Sequence, residues 1–174
     1  MAKEKKEKPV LNLNDKEKGK IVTSVDLSGL YKPAIQQDFM MFFTEEKYDL
    51  VWASHVLEHQ LNVNAFLKHC RSLTRLGKYI CVTVPPLKHQ IVGGHVTLWN
   101  AGLIMYNLIL AGYNCRNSHI KQYDYNITVV AQADSFELPE LTYDWGDIER
   151  ISKWLPPGFN YQGFNGNIQE WNWK

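Results

Sequence analysis

The stretch YDLVWASHVLEH, running from Tyr48 to His59, decides how this chain is read. Its opening, YDLVWA, is nearly continuous apolar sequence rich in β-branched and aromatic residues, as strands in the middle of a parallel sheet are. A second run of the same kind, YICVTV, spans Tyr79 to Val84. A helix is expected between them. Asn62 or Asn64 can cap it, Phe66, Cys70 and Leu73 share one face at four- and three-residue spacing, and Gly77 can close it in a left-handed turn. Toward the carboxyl end, a second helix capped by Thr97 and ended at Gly112 is apolar nearly all round and should be well buried. Tyr125 to Ala131 reads as a further strand. Gly146 to Leu155 reads as a short helix stopped by Pro156 and Pro157. Toward the amino end lie shorter β-type runs at Ala34 to Phe39, Ile21 to Asp26 and Val10 to Asn14. No internal repeat is visible, and a mixed α/β sandwich results.

Composition sets the outer limits. The chain has 174 residues, 45% of them apolar and 21% charged, which suits one globular domain with a full core. Lys plus Arg is 19 against 18 for Asp plus Glu, so no net field favours a phosphate backbone or an anionic membrane. Cys70, Cys81 and Cys115 are far apart and without CxxC spacing, which indicates neither a disulfide framework nor a zinc knuckle and fits a reducing cytoplasm. The amino-terminal MAKEKKEKP lacks the apolar core of a signal peptide, and Leu103 to Leu110 is too short to span a bilayer. The expected organisation is a charged tail at residues 1–9, a domain at 10–157 and an aromatic arm at 158–174. In that arm Trp171 and Trp173 are costly to leave in water, so it should pack on the domain or form an interface that favours self-association.

The order of motifs points further. YDLVWASHVLEH, the helix after it, RSLTRLGKYICVTVPP, a GGH loop and LILAGY together resemble the second half of class I S-adenosylmethionine-dependent methyltransferases, over roughly Ile21 to Ala131. The resemblance implies a Rossmann-like, doubly wound, mostly parallel sheet. It also implies S-adenosylmethionine as cofactor, held at the carboxyl ends of the strands. Asp26 in SVDLS, with Leu27, matches the acidic position that holds the ribose hydroxyls, and Asp38 in QQDF, with Phe39, the one near the adenine amine. Ser54 and His55 would border the cofactor, and Pro85 and Pro86 would floor the acceptor pocket. The chemistry is reasonable, because one carboxylate can accept two hydroxyl hydrogen bonds. Without the resemblance, Asp26 and Asp38 read as ordinary turn or cap residues.

One family feature is missing. Members open with a strand, a GxGxG-type turn and a long helix, but no glycine follows VLNLN, and only Asp15 to Gly19 separate it from the next run. A parallel crossover needs at least about 10 to 12 residues, so these two runs can pair only as an antiparallel hairpin, or the first is not in this sheet. The amino-terminal strand-helix unit is therefore truncated or rearranged.

His95, after the flexible pair Gly93 and Gly94, is the first choice for general base, with capping of the next helix as its plain alternative. His55 is second. Trp99 could stack on a ring-shaped substrate, although a core role is commoner for tryptophan. HVLEH, His55 to His59, also fits the HxxEH pattern of inverted zinc hydrolases. That motif needs a regular helix and a third ligand, whereas this one leaves a strand abruptly, so no metal ligand is assigned and Glu58 and His59 are read as fixing the loop. The expected activity is methyl transfer to a small hydroxylated or sugar-like acceptor. The rival is a non-catalytic methyltransferase-like protein for binding or oligomerisation.

Overall fold

The computed structural model describes residues 19–159 and 168–173. The chain divides into two compact units, Met1–Phe43 and Thr44–Lys174, each described by itself. The charged tail and the expected strand at Val10 to Asn14 lie outside the described residues, as does much of the arm.

In the first unit, β1 (Val25–Asp26) and β2 (Ile35–Gln36) pair in parallel, with Val25 opposite Ile35. Both are shorter than the apolar runs suggested. Ile21 is almost wholly exposed, so that end of the run has no sheet to bury it. A 3-10 turn, Gly29–Tyr31, fills part of the crossover, and the Ser28 hydroxyl accepts the Leu30 N–H at its start.

The second unit holds five strands and three helices in the described residues. In chain order these are β3 (Tyr48–Ser54), α1 (Val63–Leu73), β4 (Thr74–Val84), α2 (Ala101–Leu110), β5 (Tyr113–Tyr123), β6 (Asn126–Ala133), α3 (Asp147–Arg150) and β7 (Glu170–Trp171). Their order across the sheet is β3-β4-β6-β5-β7. β3 and β4 are parallel, while β6 lies antiparallel between β4 and β5. Thus β3, β4 and β5 run one way, and the mostly parallel character is one of strand direction more than of neighbouring pairs. This is a Rossmann-like α/β architecture.

Local sequence explains most boundaries. The Asn62 side chain caps α1 by accepting the Ala65 N–H, and Phe66, Leu67, Cys70 and Leu73 are buried beneath the helix. Each such burial is worth about 1.5–3 kcal/mol against exposure. α1 ends at Leu73, before Gly77. That glycine, at φ 76°, lies where the β3–β4 register slips between Tyr48 and Leu50, so it serves a bulge and not a helix stop. The cap of α2 is Asn100, whose side chain accepts the Leu103 N–H; Thr97 lies upstream and bonds elsewhere. Gly112, at φ 94°, ends that helix as expected. Arg71 ties the layers together by donating to the carbonyls of Gly112, Thr74 and Asp134.

Three features depart from expectation. β3 is not buried on both faces: Leu50 and Trp52 are half exposed, as is Tyr79 opposite Leu50, because β3 edges the described sheet. β5 was not evident in the sequence. Its buried residues, Tyr113, Cys115, Ser118 and Ile120, change phase midway, where the β5–β6 register slips between Asn114 and His119. Expected helix Gly146 to Leu155 splits into α3 and a 3-10 turn, Ser152–Trp154. The described end of the arm is β7, which pairs with β5, and Trp171 meets Phe159 edge to face at 5.0 Å. No helix among the described residues is long and apolar enough to cross a membrane.

Candidate active site

In the first unit, Asp26 ends β1, and Asp38 follows β2 by two residues on the adjacent parallel strand. Both carboxylates therefore leave the sheet at the same rim. Asp26 Oδ1 accepts the Ser28 N–H at 2.7 Å, and Asp38 Oδ1 accepts the Met40 N–H at 2.9 Å. These are turn and cap bonds of the kind that short acidic side chains make, and each uses Oδ1. Both aspartates are exposed, Leu27 is strongly exposed and Phe39 is partly buried.

In the second unit, β3 delivers Ser54, exposed at its end, and then turns sharply. His55 takes φ 53°, a left-handed conformation that costs a non-glycine residue free energy unless its surroundings fix it. They do so three times. The His55 N–H donates to the Thr83 carbonyl at 2.8 Å, its Nδ1 lies 3.1 Å from Glu58 Oε1, and its Nε2 lies 2.8 Å from Asn126 Oδ1. Both ring nitrogens are engaged, so His55 has no free lone pair to act as a base. Asn126 was not singled out in the sequence, since only the fold brings the start of β6 to the end of β3.

The chain continues through a 3-10 turn, Leu57–His59, rather than the regular helix that an HxxEH zinc site requires. Glu58 is fully buried, and among the described residues its Oε2 has no hydrogen-bond partner. The loop between β4 and α2 is laced onto this turn. The Glu58 carbonyl accepts the N–H groups of Val96 and Thr97, and the Thr97 hydroxyl donates to the Leu57 carbonyl. Trp99 Nε1 donates to that hydroxyl in turn at 3.0 Å, and the Leu87 N–H donates to the Trp99 carbonyl. Trp99 is only 2% exposed, so its ring packs the loop and offers no face to a substrate.

His59 Nδ1 lies 2.8 Å from the Gly94 carbonyl, and the His59 ring meets His95 edge to face at 4.9 Å. The Gly93–Gly94 pair makes this approach possible: Gly94 adopts φ 87°, a left-handed conformation open to glycine. His95 lines a shallow cleft with Pro85, Pro86, Lys88, Thr97 and Tyr125. Of the two prolines, Pro85 is buried and Pro86 partly exposed, with Pro86 bridged to Trp99. Lys88 lies over the Tyr125 ring at 4.3 Å. The second unit thus gathers His55, Glu58, His59 and His95 on two laced loops, with the proline floor beside them. Glu58 and His59 do fix the loop, as HVLEH suggested.

No family model and no curated protein matches the sequence. Solved structures do. The chain is similar to the N-methyltransferase NodS from Bradyrhizobium japonicum WM9 at 13% identity and TM-score 0.51, covering 64% of this chain and 72% of that one. It is likewise similar to 1,6-didemethyltoxoflavin-N1-methyltransferase from Burkholderia thailandensis, a structure with bound S-adenosylhomocysteine, at 12% identity and TM-score 0.52, covering 64% of this chain and 60% of that one. An O-methyltransferase family protein from Burkholderia thailandensis matches at 13% identity and TM-score 0.46, over 59% of this chain and 36% of its own length. This chain thus spans only part of the length of the proteins it matches, 60% of one and 36% of another.

Proposed function

We propose that this chain binds S-adenosylmethionine and directs methyl transfer to a small hydroxylated or sugar-like acceptor. The observation that carries the proposal is the placement of Asp26 at the end of one strand and Asp38 two residues past the end of the adjacent parallel one, in a fold shared with methyltransferases. Ligands of open α/β sheets gather at that rim. Each aspartate spends Oδ1 on its own turn, and the charged oxygen beside it suits a ribose hydroxyl at Asp26 or an adenine amine at Asp38. Leu27 and Phe39 would flank the adenosine.

The adenosine half of the cofactor therefore has suitable residues. For its methionine end, the stretch from Gly19 to Ser24 ahead of β1 carries no glycine-rich turn. When bound, the cofactor supplies a methyl group on a sulfonium, and the chain's contribution is chiefly orientation. His95 is the residue proposed to take the acceptor's proton. It faces a cleft whose Lys88, Thr97 and Tyr125 suit a hydroxylated molecule. His55 is proposed to position the loop rather than to act as a base.

The missing turn favours a second reading, a methyltransferase-like binding or oligomerisation protein without catalysis. Calorimetric titration of the folded chain with S-adenosylmethionine and S-adenosylhomocysteine separates the two. Saturable heat at one site per chain is expected for the enzyme, and silence at millimolar ligand would leave the second reading.

A further inference from the structure

We propose that Glu58, His59 and His95 form a binding site for a divalent first-row transition ion, zinc foremost. One ligand atom from each of the three lies within 4.8 Å of the others. Tetrahedral zinc with bonds of about 2.0–2.2 Å would hold such atoms about 3.3 Å apart, so the site forms by modest rotation of His59 and His95. Both rings have room to turn, since His59 is exposed and His95 only partly buried.

Three observations point to a cation there. First, a carbonyl only accepts, so the contact with Gly94 puts a proton on His59 Nδ1. That leaves Nε2 as the ring atom facing Glu58 Oε1, 3.9 Å away, too far for a hydrogen bond and close to the spacing of two ligands across one ion. Second, Glu58 is fully buried, and its Oε2 is unpartnered among the described residues, an arrangement that is costly for a charged group. Coordination removes that cost. Third, the outer contacts are those that orient metal ligands: the Gly94 carbonyl holds His59, and His55, itself held by Asn126, holds the carboxylate through Oε1.

Two imidazoles and a carboxylate suit zinc and its neighbours better than magnesium or calcium, which prefer all-oxygen shells. Three protein ligands leave a further position for water or for an acceptor hydroxyl. On the methyl-transfer reading, on which this last step rests, the ion would lower the pKa of a hydroxyl bound there so that its proton passes to solvent water, and His95 would serve as ligand in place of its role as base. The ligand set differs from an HxxEH site, because His55 supports Glu58 and His95 supplies the third ligand.

The test uses the full chain freed of metal with a chelator. Cobalt(II) should bind at one ion per chain with the visible absorption of a low-coordinate site, and zinc should displace it and raise Tm. His59→Gln and His95→Gln, which alter residues that are not fully buried, should each weaken binding by about tenfold or more. Absence of one-to-one binding by folded protein would overturn the proposal and leave a His59–Glu58 ion pair; so would binding that neither variant weakens. Titration with S-adenosylhomocysteine, with and without zinc, is read separately. Metal binding without nucleoside binding would count against methyl transfer alone, and the reverse result would count against the metal site alone.

Discussion

Asp26 and His55 show how differently two residues of one motif set can behave. Asp26 keeps a carboxylate oxygen available beyond its bond to Ser28, so Asp26→Ala should weaken S-adenosylhomocysteine binding by about 1.5–3 kcal/mol, read by calorimetry. An unchanged affinity would reduce Asp26 to the turn residue that its spacing alone allowed. His55 was legible as a strand-end residue, but its locking by Glu58 and Asn126 was not, since a partner 71 positions away leaves no mark on local sequence. Trp99 was legible only as an aromatic near a loop, and its burial decides between packing and recognition. The cysteines behave as sequence spacing implied, in that none is paired. Burial pushes the Cys70 thiol up to about 12 and that of Cys81 up to about 11, and pushes Cys115 up as well. Folded protein at pH 8 should therefore react slowly with a thiol reagent, and urea should release all three thiols.

Elements were read best where their period was unbroken. α1 and its cap fit within twelve residues, Asn62 to Leu73; the apolar stripe is found where the pattern put it, and Asn62 is the one of the two candidate caps that is used. β5 escaped notice because a register slip moves its buried side chains from one alternation phase to the other. The cap of α2 gives a direct check. Asn100→Ala should cost about 1 kcal/mol in urea denaturation by leaving the Leu103 N–H without its partner. Thr97→Ala should instead loosen the loop that bonds Leu57 and Trp99 while leaving that cap intact, seen as faster amide exchange at Val96 and Trp99. α3 offers a test in acid. Burial alone would raise the Asp147 carboxyl, but hydrogen bonds from the Thr142 backbone, Arg150, the Tyr143 backbone and the Thr142 hydroxyl outweigh it and hold the group at about 2, below its usual 3.8. A depressed folded-state value means that this stabilisation is complete above about pH 4 and fades as pH falls toward 2. Asp147→Asn should flatten the stability profile in that window relative to the native chain.

For the whole molecule, strand direction and the order of motifs carried the fold, because a strand, helix, strand unit followed by a buried helix can pack in few ways. The antiparallel insertion of β6 between β4 and β5 could not be read, since pairing partners depend on contacts far apart in the chain. The same limit applies to the candidate site. Strand-end aspartates are visible as letters, whereas the lacing of the Glu58 turn to the Val96–Trp99 segment exists only once the loops meet. The central claim is that the rim bearing Asp26 and Asp38 receives adenosine. A crystal of the full chain soaked with S-adenosylhomocysteine tests it most directly: the account predicts nucleoside density with the ribose against Asp26 and the adenine near Asp38. Density bound elsewhere, or a rim filled by the protein's own side chains, would contradict it.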